Sequence, residues 1–181
     1  MTKILVPLAE GLEEIEAISI IDILRRGGAE VTTAGLDALE IRGSHNIVIK
    51  ADEILANLEH DNFDGVVLPG GMPGTLNLKN DTRLKTMIQK MNDAGKLVAA
   101  ICAAPMVLFE AGVLKYKKFT IHPGEKDKVK YIPENQQVVE DGNLVTGQAS
   151  GAAVLFALTL VKKLFGKEKM DAVNKGVLYK L

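Results

Sequence analysis

Short runs of continuous apolar residues alternate along this chain with longer segments in which apolar positions recur every three or four residues. Lys3–Leu8 reads as a strand, and residues 11–26 read as a helix stopped by Gly27-Gly28. Residues 30–34 are β-rich, and residues 41–49 place Arg-Gly-Ser-His-Asn between apolar positions, the pattern of a small hairpin. Residues 64–68 form an apolar strand closed by Pro69-Gly70-Gly71, after which Asp81 caps a helix that runs to about Ala94 and stops at Gly95. Leu97–Ile101 is the most apolar strand, followed by a helix from Pro105 to about Ala111. Residues 115–142 are polar and end in an Asp141-Gly142 turn, and residues 144–146 form a last short strand. Residues 150–165 are apolar nearly all round, as in a buried helix, and a shorter helix starts near Lys167. Apolar strands separated by helices predict a mostly parallel sheet with helices on both faces. No repeat or linker interrupts the pattern, which predicts one domain over residues 1–181.

Composition narrows the function classes. The chain has 22 basic and 23 acidic residues with no basic block, which speaks against nucleic acid and anionic membranes as partners. No apolar run approaches the roughly 18 residues of a membrane span, and the first strand breaks too early for a signal peptide. One cysteine excludes an internal disulfide and suits a reducing cytoplasm. At 181 residues the chain can bury a substantial core.

That single cysteine ends the strand in Leu97-Val-Ala-Ala-Ile-Cys-Ala-Ala-Pro105, just where a helix would begin. A nucleophile between strand and helix sits in a crowded turn that pushes its side chain outward. Ala100, Ala103 and Ala104 would relieve the crowding, and a following helix N-terminus would favour thiolate over thiol. In open parallel sheets ligands bind beyond the carboxyl ends of strands. One such end, Pro69-Gly70-Gly71-Met72-Pro73-Gly74, lacks the phosphate-loop pattern, since its lysine arrives only at Lys79. Two readings fit it: Gly70 and Gly71 bring backbone N–H groups to a reacting oxygen with the N–H of Ala103 as partner, or they make a tight turn needing positive φ.

The first helix carries Glu13, Glu14 and Glu16. On a helical wheel Ser19, Asp22, Arg25 and Arg26 define the polar arc, with Glu14 at its edge and Glu13 and Glu16 on the apolar side. Glu13 and Glu14 suit the helix dipole. Glu16, deeper in, is either a solvated acid or a carboxyl in apolar surroundings with a raised pKa, able to exchange a proton with a thiol or a substrate. Of the histidines, His60 lies in a charged stretch that reads as surface. His122, at the end of Phe119-Thr120-Ile121, is either the partner of Cys102 or a loop histidine. No metal-ligand spacing and no dinucleotide fingerprint occurs.

Together these segments resemble the ThiJ/PfpI superfamily, in the branch of the parkinsonism-associated protein deglycase. The resemblance covers nearly the whole chain: Ala9-Glu-Gly-Leu-Glu-Glu-Ile-Glu16, Val66-Val-Leu-Pro-Gly-Gly71, Ala99-Ala-Ile-Cys-Ala-Ala-Pro105, His122-Pro123 with Lys126-Asp127-Lys128, and Gly166-Lys-Glu with Val177-Leu178. It implies a flavodoxin-like α/β sandwich that forms a homodimer. It places the nucleophile at Cys102, a protonated carboxyl at Glu16, a histidine at His122, and an oxyanion site at the amides of Gly71 and Ala103. It implies a cofactor-free, metal-free glyoxalase or deglycase acting on small aldehydes such as methylglyoxal, or else an oxidation sensor or chaperone; a thiazole-biosynthesis label is also attached to the wider family. Class I glutamine amidotransferases share the cysteine turn but need a later histidine, and none follows His122. The protease-like branch has histidine directly after the cysteine, where this chain has Ala103. Two further departures border the expected pocket: His45 stands where arginine is usual, and Ser150 replaces a proline in Gly147-Gln-Ala-Ser-Gly151.

Overall fold

The structure, a computed structural model, describes residues 1–180. Its strands are β1 (Lys3–Leu8), β2 (Glu30–Gly35), β3 (Glu40–Arg42), β4 (Val48–Lys50), β5 (Glu53–Ile54), β6 (Gly65–Leu68), β7 (Leu97–Ile101), β8 (Val138–Asp141) and β9 (Leu144–Gly147). Its helices are α1 (Glu14–Gly27), α2 (Gly74–Asn80), α3 (Thr82–Asp93), α4 (Pro105–Glu110), α5 (Ala153–Phe165) and α6 (Lys167–Val177). Seven strands form one sheet in the order β5-β2-β1-β6-β7-β9-β8, parallel except for the antiparallel β8–β9 pair, while β3 and β4 form a separate hairpin. This is the flavodoxin-like α/β architecture expected of the sequence.

Alternate residues of the central strands enter two cores, which is why those strands read as unbroken apolar runs. Leu5, Val66, Leu68, Val98 and Ala100 pack under α2, α3 and α4. Ile4, Val6, Leu8, Val67, Ala99 and Ile101 pack under α1, α5 and α6. The chain reverses winding direction between β1 and β6, where the ladder holds only Ile4 against Gly65 and Leu5 against Val66. It stops before Pro7, which has no N–H to offer. Such a switch point leaves a crevice at the strands' carboxyl ends. Among the described residues no helix is long and apolar enough to cross a membrane.

Several boundaries differ from the pattern-based expectation. Helix α1 begins at Glu14, because the Glu13 side chain accepts a hydrogen bond from the Ile15 N–H and acts as the cap. Asp81 caps α3 through the Leu84 N–H at 2.9 Å, but the shorter α2 precedes it, hidden in a sequence that reads as turn. Strand β8 lies inside the polar stretch 115–142, since an edge strand needs one buried side only. Residues 150–152 form a 3-10 turn ahead of α5.

Candidate active site

The site gathers around the end of β7. Cys102 adopts a φ of +63°, a left-handed conformation that costs a non-glycine residue about 1–2 kcal/mol. Both of its backbone groups are tied down: its N–H donates to the Gly147 carbonyl at 2.9 Å, and its carbonyl accepts from the His122 N–H at 2.8 Å. The sharp turn proposed from the sequence is therefore present, and surrounding strands over-determine it. The half-buried thiol packs against the core beneath α1 and α5.

Glu16 projects from the first turns of α1 into that core and is fully buried. Its Oε2 accepts from the Gly70 N–H at 2.8 Å and its Oε1 from the Ser150 hydroxyl at 2.7 Å. A Cβ on Gly70 would lie 2.7 Å from Glu16 Oε2 and 2.8 Å from Cys102 Cβ, so glycine is what lets carboxyl and cysteine share this space. Burial pushes Glu16 toward protonation, and Glu13 adds to it, while the Ser150, Gly70 and Cys102 hydrogen bonds oppose it. Burial likewise pushes the Cys102 thiol up, reinforced by the charge of Glu16; the N–H groups of Ala103 and Gly71, which face the sulfur, pull the other way.

This corrects two expectations. Burial and the charge of Glu16 push the Cys102 thiol up, against the pull toward thiolate expected from the start of α4, a six-residue helix whose first residue lies beyond Ala104. Two like charges this close in a dry site disfavour one another. Gly70 is not an oxyanion donor either, since its N–H is taken by Glu16. The amides of Gly71 and Ala103 are the ones directed at the sulfur. Gly71 has a φ of +95°, and a Cβ there would run into the backbone of Glu13 and Leu12.

His122 reaches this neighbourhood through its backbone bond to Cys102. Its Nδ1 accepts from the Gly124 N–H at 3.1 Å, so the ring proton sits on Nε2, and the ring offers a donor rather than a base on that side. His45 is exposed on the β3–β4 turn, with its Nδ1 2.9 Å from Glu14 Oε2 and 3.5 Å from Glu13 Oε2. The Glu14 side chain is its main tether, and it raises the His45 pKa. Glu14, expected at the edge of the polar arc, is buried. Burial acts to raise its pKa, but the His45 ring and the N–H groups of Glu14, His45 and Ile47 outweigh it and hold it lowered to about 2. Only the docked hairpin makes that position an interior one, so no periodicity in α1 could reveal it. The donor atoms of Glu13, Glu14 and His45 all lie within 4.8 Å of one another, a grouping able to hold a metal ion that sequence spacing did not suggest. With the Glu14 carboxylate already held by His45 and two hairpin N–H groups, the arrangement reads as a latch.

The model of the DJ-1/PfpI family matches residues 2–163. "Protein DJ-1 homolog A" of Arabidopsis thaliana is 41% identical over 179 residues, covering 97% of this chain but 46% of that protein. "Glutathione-independent glyoxalase DJR-1.2" of Caenorhabditis elegans is 34% identical over 171 residues, covering 92% of this chain and 90% of its own. The solved structure "Toxoplasma gondii DJ-1, oxidized" superposes with a TM-score of 0.96 at 36% identity, over 100% of both chains.

Proposed function

The chain belongs to the DJ-1/PfpI family, and from that premise we propose that it is a cofactor-independent, cysteine-dependent glyoxalase acting on small α-oxoaldehydes or their adducts. The observation that carries this reading is the fully buried Glu16 beside a cysteine held at positive φ with two amides on its sulfur. The Glu16 carboxylate takes the thiol proton as the sulfur adds to the aldehyde carbon of methylglyoxal, and the new oxyanion rests on the N–H groups of Gly71 and Ala103. Glu16 returns its proton to that oxygen, giving a neutral hemithioacetal. It then removes the proton from the former aldehyde carbon while His122 Nε2–H protonates the ketone oxygen. Glu16 delivers its proton to the adjacent carbon, and the hydroxyl on the sulfur-bearing carbon gives its proton back to His122. A thioester of lactate results, which water cleaves to lactate and free thiol. The activating group is thus the carboxyl that shares a hydrogen bond with the sulfur.

The purified protein should convert methylglyoxal to lactate without glutathione, and Cys102→Ser should abolish the conversion. Lactate formation that survives this substitution would remove the reading. Substrate preference falls to the residues around the cysteine, with Ser150 and the His45 latch differing from the residues usual at those positions.

The same amides favour a second use of the sulfur. Two equivalents of peroxide, each delivering one oxygen, would take Cys102 to a sulfinate whose oxygens the Gly71 and Ala103 N–H groups can hold. Mild peroxide should then add two oxygens at Cys102 alone and leave the fold intact; unselective oxidation or unfolding would count against a sensor role. The reading also includes a homodimer, supported by the exposed Ile15 and Ile18 on α1 and the exposed Ile47 and Val48 of the adjoining hairpin.

A further inference from the structure

Two carboxylates lie side by side at the start of α1 without a fixed cation to meet them. The side chains of Glu13 and Glu14 are only 13% and 6% exposed, and among the described residues His45 is the one basic side chain in an ion pair with either. Burying carboxylate charge without a full counter-charge is costly. A protonated His45 leaves the cluster negative, and a divalent cation would cancel that charge.

The two carboxylates divide their oxygens in the same way. Glu13 Oε1 accepts from the Ile15 N–H at 3.4 Å, and Glu14 Oε1 accepts from the His45 and Ile47 N–H groups at 2.7 and 3.4 Å. Both Oε2 atoms are turned to the hairpin, where they meet His45 Nδ1 and Ser44 Oγ. From Nδ1 the distances are 2.9 Å to Glu14 Oε2, 3.5 Å to Glu13 Oε2 and 3.1 Å to Ser44 Oγ. From Ser44 Oγ they are 3.4 Å to Glu14 Oε2 and 3.5 Å to Glu13 Oε2. A ring nitrogen carries at most one proton, so three oxygens this close to Nδ1 exceed what hydrogen bonding can use. A tetrahedral ion with bonds of about 2.0–2.1 Å holds its donors about 3.3 Å apart, and the five separations bracket that spacing. The backbone keeps the donors there: the Ser44 N–H donates to the Leu12 carbonyl at 2.9 Å, and Gly43 lacks a Cβ that would collide with the Glu14 carboxyl.

We propose that Glu13, Glu14 and His45, with Ser44 Oγ at the fourth corner, form a tetrahedral site for a zinc-class divalent ion that clasps the β3–β4 hairpin to α1. The latch is the ion-free form of this cluster. On binding, the Nδ1 proton leaves to solvent, the ion bonds Nδ1 and the two Oε2 atoms, and the ring keeps its Nε2–H. Mixed nitrogen and oxygen donors at this spacing suit zinc rather than magnesium or calcium, which take six or more oxygens. No step of the proposed reaction uses the ion.

The probe is cobalt(II), which shares zinc's geometry and is coloured, titrated into chelator-treated protein carrying Cys102→Ser so that the thiol cannot bind it. The intense visible bands of four-coordinate cobalt should appear, vanish when zinc is added and persist when magnesium is added. His45→Ala should remove the bands and weaken zinc binding by calorimetry about 100-fold or more, since losing a ligand exceeds the usual effect of losing an outer partner. His60→Ala should change neither. Zinc should also slow hydrogen exchange of the His45 and Ile47 amides in the wild-type chain, and this effect should be absent for Ile47 in His45→Ala. Absent cobalt bands, bands that survive His45→Ala, or displacement of cobalt by magnesium as readily as by zinc would each overturn the proposal. Should alanine disturb the turn, seen by circular dichroism, His45→Asn reads the same quantity.

Discussion

Cys102 is held by its backbone more than by its side chain. The Gly147 carbonyl and the His122 N–H fix it at a φ of +63°, and Glu16 and two amides then meet a sulfur whose position is already set. Because burial and the Glu16 charge push the thiol up, the rate of alkylation of the wild-type protein should keep rising above pH 9. A plateau reached below pH 8 would show a thiolate already formed at rest. The neighbouring turn is equally constrained. Gly71→Ala should destabilise the protein by about 3 kcal/mol or more in chemical denaturation, from positive φ and collision with the Glu13 backbone together. Gly112→Ala, at a φ of +76° with nothing within 4 Å of its Cβ, should cost only about 1 kcal/mol. Position along the chain was enough to single out Cys102, since one cysteine at the end of an apolar strand is a local pattern. The direction of its pKa shift was not legible, because it depends on Glu16, a residue of another element.

At the scale of elements, the β3–β4 hairpin and the start of α1 depend on each other. Glu14 binds the N–H groups of His45 and Ile47 and the His45 ring, so a buried carboxylate holds the hairpin turn. The Glu14 pKa is depressed in the folded protein, so its stabilisation is present above the ordinary 4.5 and is lost as pH falls toward about 2. The His45 pKa is raised, so its share is present below the ordinary 6.5 and is lost as pH climbs through the folded value. Exchange protection of the His45 and Ile47 amides should therefore be greatest between those limits and fall on acidification. Glu14→Gln should remove the acid-dependent loss and cost about 1–3 kcal/mol at neutral pH, measured by denaturation. Equal protection at pH 3 and pH 6 would show that the latch carries nothing. The hairpin itself could be read from alternation around Arg-Gly-Ser-His-Asn, and helix α3 from its Asp81 cap. Where the hairpin docks could not, because docking is a contact between segments distant in sequence.

For the whole molecule, the exposed isoleucines of α1 and the hairpin mark the face on which a second copy would pack. Light scattering should report a dimer, and Ile18→Glu should shift it to monomer without lowering the helix content seen by circular dichroism. A wild-type protein that runs as a monomer at tens of micromolar would remove that assembly. Seven strands in one mostly parallel sheet bring the ends of β1, β6 and β7 together, and with them Glu16, Gly70, Gly71 and Cys102. The alternation of apolar strands and amphipathic helices determined this sheet, its two-sided burial and the turn at Cys102, because periodicity and glycine placement act over a few residues. The partners of each group were decided only by the tertiary structure: Ser150 and Gly70 on Glu16, Glu14 beneath His45, the amides of Gly71 and Ala103 at Cys102. Those depend on distance and dielectric between residues that the chain keeps far apart, and both arise only once the two cores close.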